Sequence, residues 1–144
     1  MQIQRIQTLY IFLSIIAMAI FVVVPYGEVI DLTADPQVST SLYTMSEYGI
    51  LIPAGAVIIL LLTDMFLFRN MPLQRTVLVI CLMLTLALIA TVCFALYKQA
   101  EAEGLDAHFS VWDILLPIAA FLEILAVKGI NHDIKLLNSY NRLR

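Results

Sequence analysis

The sequence is short of charge. Only 13% of its 144 residues are Asp, Glu, Lys or Arg, and 62% are hydrophobic, whereas soluble domains carry about a quarter charged and about half apolar residues. A chain of this length cannot bury so much apolar surface in one water-soluble core. Lipid is the simplest missing partner, and the mean hydropathy of +0.95 points the same way. Cysteine is scarce too. Cys81 and Cys93 sit in one apolar run, and the helix between them rises about 18 Å, too far for a disulfide. His108 and His132 lie far from both cysteines in sequence, which argues against a zinc set. The net charge is only −3 and basic residues do not interleave with exposed aromatics, so nucleic acid is not an expected partner. No catalytic residue, metal or cofactor is expected.

What the chain does have is long apolar runs. A bilayer core takes about 20 apolar residues per helix. Four stretches qualify, at about 6–25, 48–68, 76–97 and 111–130, leaving a tail at 131–144. The first is expected to stay as an anchor: one Arg5 precedes it, and Val23-Val24-Pro25-Tyr26-Gly27 offers no small-x-small cleavage site. The third, through Val77-Leu78-Val79-Ile80-Cys81-Leu82-Met83-Leu84, is apolar all round, which rejects a soluble amphipathic bundle. The expected fold is therefore all-α, an integral-membrane four-helix bundle forming a single membrane domain over 1–144.

Basic residues gather in cytoplasmic segments. Arg5, Arg69, Arg75, Lys128, Lys135, Arg142 and Arg144 fall on one side of a four-span chain, and Lys98 is the exception among the eight. The other side collects Glu28, Asp31, Asp35, Glu47, Glu101, Glu103, Asp106 and Asp113. Both termini are expected in the cytoplasm. Thr33-Ala34-Asp35-Pro36 reads as a turn, and Leu42-Tyr43-Thr44-Met45 as a stretch lying along the membrane surface. The segment from Lys98 to Asp113 is expected to extend helix three and break at Gly104. The short loop 69–74, with Pro72, predicts a tight hairpin between spans two and three. Pro53-Ala54-Gly55-Ala56 and Pro117-Ile118-Ala119-Ala120 offer smooth strips for close helix packing.

Ionisable residues within a span are the first place to look for chemistry. There are two, Asp64 and Glu123, each five residues before a basic residue (Arg69, Lys128) and so expected at similar depth, about 7–8 Å from the cytoplasmic ends of their helices. Two carboxylates at one depth suit a cation or a proton. The plainer alternative is that each reaches water or a basic neighbour such as Arg69, Arg75 or Lys128. In the tail, Ile130, Ile134, Leu137 and Leu143 share a stripe, which predicts a short cytoplasmic amphipathic helix on the inner leaflet, with His132-Asp133 on its solvated face.

The chain ends are the most pattern-rich segments. The start Gln4-Arg5-Ile6-Gln7, Leu116-Pro117 in the last run and the closing Asn141-Arg142-Leu143-Arg144 resemble the small four-span membrane proteins of Bacteroidetes grouped as domain of unknown function 4293. Asn141 stands where that pattern has Asp, and Glu123 is not part of it. The resemblance implies an inner-membrane home without supplying an activity. Gln4, Arg5, Gln7, Arg142, Leu143 and Arg144 then form a candidate cytoplasmic interaction patch for a protein or anionic lipid. A non-enzymatic subunit or assembly factor is the leading expectation, its partners being membrane lipid and another membrane protein or a second copy. A small ion- or proton-conducting protein using Asp64 and Glu123 is the alternative.

Overall fold

The computed structural model describes residues 2–33, 37–67, 69–101 and 105–142, with side chains between 6 and 139 within those ranges. Among the described residues four α-helices carry the chain: α1 (Gln2–Val23), α2 (Tyr48–Phe66), α3 (Met71–Ala100) and α4 (Leu115–Arg142). Three contain segments long and apolar enough to cross a membrane, Ile6–Val23, Tyr48–Phe66 and Met71–Ala100. α4 is more mixed, because its polar last third belongs to the same helix as its apolar start.

One pattern explains how the helices pack. Buried positions recur in alternating steps of three and four, the spacing that keeps one seam facing a neighbour. In α1 they are Gln7, Ile11, Ser14, Met18 and Phe21, with Ala17 buried beside Met18; in α2, Ile50, Ala54, Val57, Leu61 and Asp64. In α3 they are Gln74, Leu78, Cys81, Thr85, Leu88, Val92 and Leu96. In α4 they are Leu116, Ala119, Glu123, Ala126, Ile130 and Asp133. The opposite faces expose Phe12, Ile59, Met83 and Phe121, as suits helices whose outer surface meets lipid. α1 packs against α4 and α2, and α3 packs against α4 and α2.

The expectation of an all-α chain is corrected by a small antiparallel sheet. β1 (Pro25–Asp31), β2 (Val38–Tyr43) and β3 (Leu105–Phe109) pair in the order β2-β1-β3. β1 faces β2 with Val29 opposite Thr40, and β3 with Val29 opposite Ala107. These strands lie in the acidic connecting segments and are short. The β1–β3 pairing joins residues far apart in the chain, which no local pattern announces. The sheet packs on the end of α3. That helix has 30 residues and is about 45 Å long, longer than a hydrocarbon core of about 30 Å, and its end gives the sheet a wall. A Cβ on Gly27 would collide with Leu96, so glycine is what lets β1 lie against α3.

Other boundaries move as well. Helix one stops at Val23, because Pro25 opens β1. Helix three begins at Met71, with Pro72 in its first turn, where a missing N–H costs nothing. Gln74 therefore belongs to the helix and is buried. Leu42 and Tyr43 end β2 and Thr44 is buried in a short 3-10 helix, its hydroxyl donating to the Phe21 carbonyl at 3.3 Å. α4 runs unbroken through Lys128 to Arg142, so the tail is a continuation of the fourth helix and not a separate one. The smooth strip at Pro53 is half used: Ala54 is buried, while a Cβ on Gly55 would meet nothing. Ala119 and Ala120 are both buried. The turn at Ala34-Asp35-Pro36 and the break at Gly104 lie outside the described residues.

Candidate functional site

The inward seams are not purely apolar. Gln7 and Ser14 of α1, Asp64 of α2, Gln74 and Thr85 of α3, and Glu123 and Asp133 of α4 all face the interior. Because buried polar groups are costly unless bonded, the place where each finds a partner defines the site.

The first layer joins the start of α1 to the later part of α4. The Gln7 amide (Nε2) donates to Asp133 Oδ2 at 2.7 Å, and both side chains are buried. One turn earlier, a Cβ on Gly129 would come within 2.8 Å of Gln7 Cγ, so glycine opens the space in which Gln7 packs. Asp133 is thus not on a solvated face, while its neighbour His132 is exposed.

The second layer is the deeper one. Ser14 Oγ lies 3.2 Å and Thr85 Oγ1 3.1 Å from Glu123 Oε1, so α1, α3 and α4 converge on one carboxyl oxygen. Each hydroxyl also has a backbone acceptor: Ala119 O at 3.5 Å for Ser14, and Cys81 O at 3.0 Å for Thr85. Glu123 is 0% exposed and its Oε2 has no partner among the described residues.

Asp64 forms the third group. It is also 0% exposed, and neither of its carboxyl oxygens has a hydrogen-bond partner among the described residues. The Cys81 thiol lies within electrostatic reach of both Glu123 and Asp64, so the two carboxyl groups share one region around the α3 seam. They are not at equal depth. Asp64 is in the last turn of α2, whereas Glu123 faces Thr85 in the middle of α3. The expectation of similar depth took Lys128 as the end of helix four, and the helix continues past it. Reach to a basic neighbour is overturned too: Arg69, Arg75 and Lys128 are exposed, and among the described residues neither carboxylate is in an ion pair.

Outside the spans, at the sheet end, lies a further polar group that sequence patterns missed. Tyr26 is fully buried at the start of β1 and its hydroxyl has no partner among the described residues. Its pKa is raised by burial first, then by the negative charges of Glu47 and Asp113. Burial pushes Asp113 up to about 6, although the Ser110 N–H donated to its Oδ2 at 3.1 Å opposes the shift. Where it overhangs α3, the sheet leaves a cavity of about 300 Å³ lined by Val29, Val38, Thr40, Leu42, Gln99 and Leu105.

Of the terminal patch, Gln7 is inside the bundle and not on its surface. Gln4 and Arg5 lie in the first turns of α1, and Arg142 closes α4; their side chains, with Leu143 and Arg144, lie outside the described residues.

A family model described as a domain of unknown function (DUF4293) matches residues 3–143. The chain belongs to this family. Its description assigns no activity, and the match takes in every helix and every polar layer above. No curated protein and no solved structure matches the chain.

Proposed function

We propose that this member of the family is a four-span protein of the bacterial cytoplasmic membrane with both ends in the cytoplasm, acting as a non-enzymatic subunit or assembly factor for another membrane protein. Support for the fourth crossing is that α4 is stitched to α1 at Gln7–Asp133 and at Ser14–Glu123, and so runs the length of a helix apolar enough to span. Support for the orientation is the gathering of basic residues at the end away from the sheet.

The observation that carries the role is the outer edge of the sheet. β2 reads Val38-Ser39-Thr40-Ser41-Leu42-Tyr43, has no charge, and all of it but Leu42 is exposed. Edge strands are normally blunted by charge, proline or a cover, because unpaired N–H and C=O groups invite another strand. An uncharged six-residue edge beyond the membrane suits strand addition by a partner with an extended segment outside the bilayer. A photo-crosslinking side chain at Thr40 should yield one discrete adduct in intact cells, with the same protein co-purifying in fixed stoichiometry after gentle solubilisation. Uncrosslinked chain alone from Thr40, alongside an unchanged fold, would rule the role out. An adduct of twice the chain's own mass would replace the foreign partner by a second copy.

A further inference from the structure

We propose that Glu123 with Ser14 and Thr85, together with Asp64, forms a proton-binding site inside the bundle that exchanges with water at the end where α2 turns into α3. It stands apart from the docking role of β2 and shares no residue with it.

The inference starts from counting protons. Ser14 and Thr85 have one hydroxyl hydrogen each. Between them they face four acceptor contacts: Glu123 Oε1 twice, Ala119 O and Cys81 O. The two hydrogens serve two of these contacts at a time, and both can be on Oε1 when Glu123 is ionised. A hydrogen on Glu123 Oε1 serves a third. It is donated to Thr85 Oγ1, the Thr85 hydroxyl then donates to Cys81 O, and Ser14 donates either to Ala119 O or to the carboxyl oxygen. The O–H bond formed at Oε1 replaces one broken in hydronium, and release reverses the exchange without electron transfer.

Charge leads to the same place. A carboxylate in an apolar interior without a counter-ion is very costly. Among the described residues, the titratable groups on these inward seams are Asp64 of α2, Cys81 of α3, and Glu123 and, at the far layer, Asp133 of α4, while α1 presents Gln7, Ser14 and the partly buried Tyr10. Among the described residues none of these is a cation, and Arg69, Arg75 and Lys128 are exposed. The independent sign of a missing ligand is Asp64. It is fully buried, its two oxygens are both unpartnered, and it shares the neighbourhood of Cys81 with Glu123. Its place in the last turn of α2 makes it the station nearer water.

The test is infrared spectroscopy of the full chain in lipid nanodiscs. Two protonated-carboxyl C=O bands are expected in the resting protein, one lost in Glu123→Gln and the other in Asp64→Asn. Thr85→Val should move the Glu123 band to higher frequency, because the carboxyl loses its hydrogen-bond acceptor. Both bands should shift in D2O, and the Glu123 shift should be slowed severalfold in Asp64→Asn, which a merely structural Asp64 would not produce. No protonated band in wild type overturns the proposal, as does exchange at Glu123 that is indifferent to Asp64→Asn. A band that appears only when NaCl is replaced by choline chloride also overturns it, in favour of a sodium site. If Glu123→Gln does not fold, the Thr85→Val frequency shift decides alone.

Discussion

The two helix pairs of the bundle are held by different means. α2 and α3 are neighbours in sequence, joined by a turn in which Leu67 N–H donates to Asp64 O and Asn70 N–H to Leu67 O. Their shared seam is mostly apolar, and Asp64 gains nothing from it. α1 and α4 are more than a hundred residues apart and meet through Gln7–Asp133 and Ser14–Glu123. A short turn already sets the register of one pair, so its seam needs no further specification. The other pair has no turn to align it. In lipid, where tails are as apolar as the helices, polar contacts are what remain to choose one register over another.

The comparison can be broken at its apolar side first. Leu61→Ala, at a fully buried position of α2, should cost about 2–5 kcal/mol, read by SDS unfolding in mixed micelles. Asp64→Leu should act with opposite sign on the same pair. Removing a buried carboxyl without partners is expected to stabilise by about 1–3 kcal/mol while abolishing the proton exchange proposed for this group; a loss of stability would mean that Asp64 has a structural partner after all. On the polar pair, Gln7→Ala should cost about 0.6–1.7 kcal/mol, the range for hydrogen bonds between membrane helices. In a double-mutant cycle with Asp133→Ala the two losses should fall well short of adding, since they remove one bond. Additive losses would mean that the contact does not align α1 with α4.

The smallest effect lies outside the bundle and depends on pH. Asp113 is raised from 3.8 to about 6, so the folded chain holds this proton more tightly than the unfolded one. Stability from this group is full below about pH 4, declines as pH rises towards 6, and stays at the lower value above that. Asp113→Asn should flatten thermal stability across this window. An unchanged slope would assign it to another group.

The helices were legible because hydropathy is a local sum: a run such as Val77 to Leu84 announces a buried helix whatever it packs against. Which of its faces turns inward was not legible. Lipid and protein interior are both apolar, so Leu78 facing in and Met83 facing out look alike in sequence. Polar residues carried only part of that information, since Gln74 and Thr85 turn inward while Thr76 of the same helix turns outward. Asp64 and Glu123 were found at once as intramembrane carboxyl groups, but their partners and depths were not. Ser14 and Thr85 are weakly polar and far away in sequence, and α4 continues past the basic residue taken as its end. The sheet was missed because its strands are short and lie within connecting segments.

By itself, then, the sequence determined a strongly apolar chain of long helices, a tight hairpin between α2 and α3, and a division of basic from acidic connecting segments. These follow from composition and spacing along a few dozen residues at a time. Only the tertiary structure decided that three helices converge on Glu123, that Asp64 is sealed in without a partner among the described residues, and that three strands from two connecting segments build one sheet against the end of α3. Those facts depend on contacts between residues up to 126 positions apart, and the helix register that creates them is set by packing and not by any local preference.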